Sequence, residues 1–103
     1  MNRGEVWWAD VPRARRRPYL VLTRDEAVPL LTRVLAVPAT RTARGLPTEV
    51  RLGLDDGMPD ECVLSLDNME LLRKARFVNP ICKLSTQRMQ EVCAALGRAT
   101  GCS

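Results

Sequence analysis

The stretch Gly4-Glu5-Val6-Trp7-Trp8-Ala9-Asp10-Val11, continued through Arg13, Arg15, Arg16 and Arg17 into Pro18-Tyr19-Leu20-Val21-Leu22-Thr23, decides the fold. Its first part alternates, with Trp7, Ala9 and Val11 on one side and Val6, Trp8 and Asp10 on the other, which predicts a strand with one buried side. Its last part is a continuous apolar run, which predicts a strand buried on both faces. Between them lies a cationic loop, and the guanidinium fork is the side chain best matched to phosphate.

Outward from this hairpin, strand patterns recur. Asp25-Glu26-Ala27-Val28 can open a helical turn capped by Asp25 and limited by Pro29. Thr32 to Ala39 reads as a third strand, Thr48 to Leu52 as a short one, Cys62 to Leu66 as the next and Phe77 to Leu84 as another. Asp55 to Glu61 reads as an acidic surface loop. After Ser85, a candidate N-cap, the period changes: Met89, Val92, Cys93, Leu96 and Ala99 form one apolar helical stripe. The order predicts an α+β fold, a small curled antiparallel sheet or barrel of five or six strands with a C-terminal helix.

Size and composition bound the reading. With 103 residues and 46% apolar content, one domain over 1–103 with one core is expected, and a homodimer would hide further surface. The net charge of +4 is localised. Residues 1–51 carry ten arginines against five acidic residues, whereas residues 52–103 carry six cations against seven. A basic face favours a polyanion such as nucleic acid, although an arginine-rich composition is also what a GC-rich genome produces. Cys62, Cys82, Cys93 and Cys102 form no C-x-x-C pair and no histidine accompanies them, which argues against zinc. No apolar run approaches the ~20 residues of a membrane span. The expectation is a soluble, cytoplasmic protein with reduced, buried thiols.

The absence of histidine removes the usual acid/base near neutral pH. RNA scission is a reaction that can proceed without it, because the substrate supplies its own 2′-hydroxyl nucleophile. Arg17 is the candidate of choice within the cluster, since Pro18 holds its backbone extended. Arg13, Arg15 and Arg16 fit either phosphate contacts or solvated loop charges. Thr40 ends an apolar strand, where it either faces a substrate or makes a local backbone bond, and Arg41 and Arg44 add cation density beside it. Asp67 and Asn68 can read Watson–Crick edges of splayed bases or simply form a turn. Trp7 is expected in the core, and Trp8 is expected to be exposed for stacking or buried in a subunit contact. For a general base, Asp67, Glu49 and Glu61 remain open on chemistry alone.

Taken together, these blocks resemble the MazF/PemK toxins of type II toxin–antitoxin systems. Arg3-Gly4-Glu5-Val6-Trp7-Trp8-Ala9-Asp10-Val11 is similar to the family's R-G-E-[IV]-W-x-x-[DN]-[LV], and Arg17 to Thr23 to its R-P-x-[LV]-[IV]-[LV]-[ST]. Val37-Pro38-Ala39-Thr40 through Gly45-Leu46-Pro47-Thr48-Glu49-Val50 is similar to V-P-x-T...P-x-x-V, and Asp67-Asn68 falls at its D-Q or D-N position. The resemblance implies a small SH3-like antiparallel β-barrel with helices, assembled as a homodimer. It implies a sequence-specific endoribonuclease that needs no metal or cofactor, cuts single-stranded RNA (mRNA, in some members rRNA or tRNA) and is blocked by a cognate antitoxin. It places the paired functional positions at Arg17 and Thr40. Two departures stand out: only seven residues, Val11 to Arg17, separate Asp10 from Pro18, and Met69-Glu70-Leu71-Leu72 replaces an arginine-threonine stretch. A CcdB-like gyrase poison and a non-catalytic RNA-binding barrel are the competing readings.

Overall fold

The computed structural model describes residues 1–12 and 14–102, so Arg13 lies outside the described residues. Seven strands and one helix follow in order: β1 Glu5–Ala9, β2 Arg17–Val21, β3 Arg33–Thr40, β4 Glu49–Leu52, β5 Cys62–Ser65, β6 Glu70–Arg73, β7 Phe77–Lys83 and α1 Thr86–Thr100. They pair in the order β4-β5-β3-β2-β1-β7, with β6 added to β3, and every pairing is antiparallel. Among these pairings β4, β6 and β7 each have one partner, so the sheet is open and barrel-like in a loose sense. The expected count of five or six strands missed β6.

β3 organises the molecule. Its first half pairs with β6 through Arg33–Ala36 and its end pairs with β5 through Ala39 and Thr40, while β2 runs along its other side. Pro38, which has no N–H to donate, sits where the partner changes. β2 is buried on both faces, as the apolar run predicts. Leu20 and Leu22 join one core with Val37, Leu64, Val92 and Ala95, while Tyr19 and Val21 join a second with Val34, Leu72 and Phe77. β1 departs from the expectation of one buried side: Val6 enters the first core and Ala9 the second, each fully buried.

The helix forms as its period predicts. Ser85 Oγ accepts from the Arg88 N–H at 3.1 Å, and Gly101 ends it in a left-handed conformation. Val92 and Ala95 are its buried residues, and full burial of a valine contributes about 1.5–3 kcal/mol. Cys93, expected in that stripe, is exposed and so is Cys102, while Cys62 and Cys82 are half-buried; all four are free thiols. The Asp25 turn forms as a series of hydrogen-bonded turns, but Asp25 Oδ1 accepts from the Arg3 N–H at 2.6 Å and caps no helix. The acidic loop lies at the surface as expected, with Asp55, Asp60 and Glu61 exposed, but it buries Met58 in the first core. Gly57, at φ +94°, brings it so close to β7 that a β-carbon there would lie 2.8 Å from Cys82 Cβ. Among the described residues no helix is long and apolar enough to cross a membrane.

Candidate active site between two clefts

The site starts from register. Tyr19 pairs with Pro38 at the end of the β2–β3 ladder, so Arg17, the first residue of β2, and Thr40, the last of β3, both lie just beyond that rung at the same end. Pro18 keeps Arg17 extended, and the side chain is exposed at the rim. Thr40 Oγ1 accepts from the Thr42 N–H at 3.2 Å. The local bond considered from the sequence is therefore present, but it uses the oxygen's acceptor side and leaves the hydroxyl proton to be donated.

Two clefts open from this pair, and Arg17, Thr40 and Thr42 line both. The first encloses about 360 Å³ and brings together Trp8, Arg15, Arg16, Arg41, Met58, Asp60 and Cys62. The second encloses about 440 Å³ between Tyr19, Arg44, Glu49, Ser65, Asp67, Asn68 and Glu70. Of the arginines expected to meet phosphate, Arg15, Arg16 and Arg41 thus fall on one side of the pair and Arg44 on the other. Asp67 and Asn68 gather with Arg44.

Ion pairs divide the cations. Arg16 is held by Asp10, Nε to Oδ1 at 2.8 Å, and Arg41 by Asp60, Nη2 to Oδ2 at 2.7 Å. Arg15, Arg17 and Arg44 have no carboxylate partner among the described residues' ion pairs. Their charges are available to an incoming anion. The carboxylates differ as well. Glu49 accepts from the backbone N–H groups of Arg44 and Leu46 at 3.1 and 3.2 Å, which makes it the anchor of the β3–β4 loop. Asp67 Oδ2 accepts from Thr48 Oγ1 at 2.6 Å, and Asn68 Nδ2 donates to Ser65 Oγ at 2.8 Å. Glu61 lines neither cleft.

Three members of the site had only a weak mark in the sequence or none. Tyr19 is buried and donates to Glu70 Oε2 at 3.3 Å. Burial raises its pKa, and the Glu70 carboxylate raises it further against the lowering influence of Arg17, so it is a neutral phenol across the physiological range. Glu70 comes from the unforeseen β6, and Asp60 from the acidic loop. Trp8 is half-buried in the wall of the first cleft, while Trp7 packs on the second core and donates through Nε1 to Glu5 at 2.9 Å. Cys62 faces the first cleft with its thiol pushed up to about 11, chiefly by burial and then by Cys82 and the nearby carboxylates of Glu61, Asp56 and Asp60.

Known proteins share this fold. The chain is 43% identical over 102 residues to the probable endoribonuclease MazF5 of Mycobacterium tuberculosis, covering 98% of this chain and 94% of that protein. It is 41% identical to the probable endoribonuclease MazF2 of the same species, over 99% and 100% of the two chains. Among solved structures, the Mycobacterium tuberculosis toxin MazF-mt6 superimposes with a TM-score of 0.89 at 30% identity, covering 96% and 98% of the two chains. A mycobacterial endoribonuclease in complex with its cognate antitoxin superimposes at 0.91 with 26% identity, over 100% and 97%. The family model described as PemK-like, MazF-like toxin of type II toxin–antitoxin system matches residues 2–100, and the chain belongs to that family.

Proposed function

We propose that this chain is the toxin of a type II toxin–antitoxin system and acts as an endoribonuclease on single-stranded RNA without a metal ion, with Arg17 and Thr40 as its catalytic residues. The observation that carries the reading is that Arg17 and Thr40 lie at the same end of the β2–β3 ladder and both line each of the two clefts. An RNA strand laid across both clefts has its scissile phosphate at the pair and a nucleotide in each cleft.

The chemistry follows from those positions. The substrate's 2′-hydroxyl oxygen attacks the adjacent phosphorus and its proton passes to solvent, while the bond to the 5′-oxygen breaks and that oxygen takes a proton from solvent, leaving a 2′,3′-cyclic phosphate and a 5′-hydroxyl. Arg17 stabilises the extra negative charge of the phosphorane, and Thr40 donates a hydrogen bond from its hydroxyl to a phosphoryl oxygen. Arg15 guides the backbone, the ion-paired Arg16 and Arg41 add longer-range attraction on the same side, and Arg44 meets the RNA in the second cleft; Arg13, expected from the sequence to bind RNA, lies outside the described residues. Cleavage of mRNA in the cytoplasm halts translation. A cognate antitoxin covers the clefts, and the toxin assembles as a homodimer; the antitoxin-bound relative supports the first of these and the family resemblance the second.

Incubation with a pool of single-stranded RNAs in EDTA, with the new ends mapped, tests the reading. Arg17→Ala is expected to lower kcat/KM by about 10²- to 10³-fold, in line with the loss of one transition-state donor. Thr40→Ala is expected to lower it about ten- to hundredfold, as for a hydrogen bond to a charged group. Intact RNA after long incubation, or cutting that survives both substitutions, sinks the mechanism. Salt-sensitive binding without cutting would instead identify a non-catalytic RNA-binding fold.

A further inference from the structure

The second cleft presents a puzzle for a polyanion site: Glu49, Asp67 and Glu70 all line it. Carboxylates repel phosphate, so their partner there is something that donates hydrogen bonds. Glu49 is spent on the backbone of its own loop. Asp67 gives one oxygen to Thr48, and Oδ1 has no partner among the described residues' hydrogen bonds. Asn68 uses its amide nitrogen on Ser65, which leaves its Oδ1 as a second acceptor beside the first. In the same cleft the Arg44 guanidinium offers a donor fork with no carboxylate attached.

We propose that the second cleft is a guanine-reading subsite, in which Asp67 and Asn68 accept from the base's N1–H and N2–H groups while Arg44 donates to its O6 and N7. The assignment rests on the endoribonuclease reading above and adds the identity of a flanking base. Guanine alone among the four bases carries two adjacent donors on its Watson–Crick edge, with two acceptors next to them. Adenine and cytosine place an acceptor beside their single amino group, and uracil flanks its one N–H with two carbonyls. Each would set a lone pair against the Asp67 carboxylate. A cleft of about 440 Å³ has the size of an ordinary small-ligand site. Glu70 stands at the edge of the cleft, tied to Tyr19, and backs the acceptor side electrostatically.

The test uses the full chain and RNA oligonucleotides. End mapping on a randomised pool is expected to show guanosine enriched at one position next to the cut. Replacing that guanosine by inosine, which lacks only the N2 amino group, is expected to slow cleavage about 5- to 150-fold, the range of one good base contact. Asp67→Asn, which keeps an acceptor for Thr48, is expected to erase most of the guanosine-over-inosine ratio. Thermal melting verifies that the variant is folded, and Asn68→Ala provides a second removal of an acceptor. Equal cleavage of guanosine and inosine, or enrichment of another base on both sides of the cut, overturns the proposal. A loss in Asp67→Asn that is uniform over all sequences and shifts the pH–rate profile also overturns it, because that pattern belongs to a general base. Equilibrium binding of 2′-O-methylated oligonucleotides separates the two readings. A guanosine preference there with no cutting of ordinary RNA leaves the subsite standing and removes the nuclease.

Discussion

The two clefts share the Arg17–Thr40 wall and are built for different tasks. Four arginines and one aspartate line the first, with an indole among them, whereas two arginines and three carboxylates line the second. A cationic, aromatic cleft holds an RNA strand with little regard to sequence, through phosphate charge and base stacking. An acceptor-rich cleft weakens general affinity and discriminates among bases. On the proposed reading, affinity and specificity are separated on either side of the Arg17–Thr40 pair, and each can be perturbed alone.

The largest perturbation away from the proposed catalytic pair is expected at Trp8. Its indole forms part of the first wall, and one base–aromatic stack is worth about 1–3 kcal/mol. Trp8→Ala should weaken RNA binding by about 5- to 150-fold in equilibrium titrations, with the guanosine-over-inosine ratio unchanged. A change in that ratio would mean that the clefts communicate and that their division of labour is wrong.

A smaller effect, of opposite sign, is expected at Asp60. This carboxylate occupies Arg41 at 2.7 Å and both side chains are largely exposed, so the pair adds little to stability. Asp60→Asn releases the guanidinium to phosphate. RNA affinity should rise a few-fold at low salt, and the slope of log K against log salt should steepen by about 0.7, the increment for one added contact to a single strand. An unchanged slope would show that Arg41 already reaches the RNA in the wild type, or never does.

The sequence carried the elements better than their meeting points. β2 and α1 were legible because each obeys a local rule, the apolar run after Pro18 and the helical period after Ser85. β6 was not legible, because Glu70-Leu71-Leu72-Arg73 buries only Leu72 and holds its place by pairing with β3 alone. The helical stripe was drawn a residue too wide at Cys93, whereas Ala95, whose small side chain gives little periodic signal, enters the core. At the site, the family motif named Arg17 and Thr40, but only the pairing of β2 with β3 brings residues 23 positions apart to the same end of the ladder. Tyr19 and Glu70 are 51 positions apart, and Asp60 reaches its cleft through a loop folded in by Gly57. Contacts of that range leave no local pattern to read.

The smallest effect is expected at Cys62, and it probes the electrostatics of the first cleft. Four arginines would ordinarily favour a thiolate, yet burial, Cys82 and the acidic loop together push this thiol up to about 11. Below that value the thiolate fraction falls tenfold per pH unit, so at neutral pH about one thiol in 10⁴ is reactive. Iodoacetamide at neutral pH should therefore modify the exposed Cys93 and Cys102, spare Cys62, and leave RNA binding within about twofold. As pH rises toward 11 the thiolate fraction grows, so Cys62 should label progressively, with binding lost in step as the adduct fills the first cleft. Peptide mass spectrometry alongside RNA titration checks both. Fast labelling of Cys62 at neutral pH would mean that the arginines outweigh the acidic loop at the cleft floor. The Arg41–Asp60 pair would then be a surface contact with no hold on the field inside.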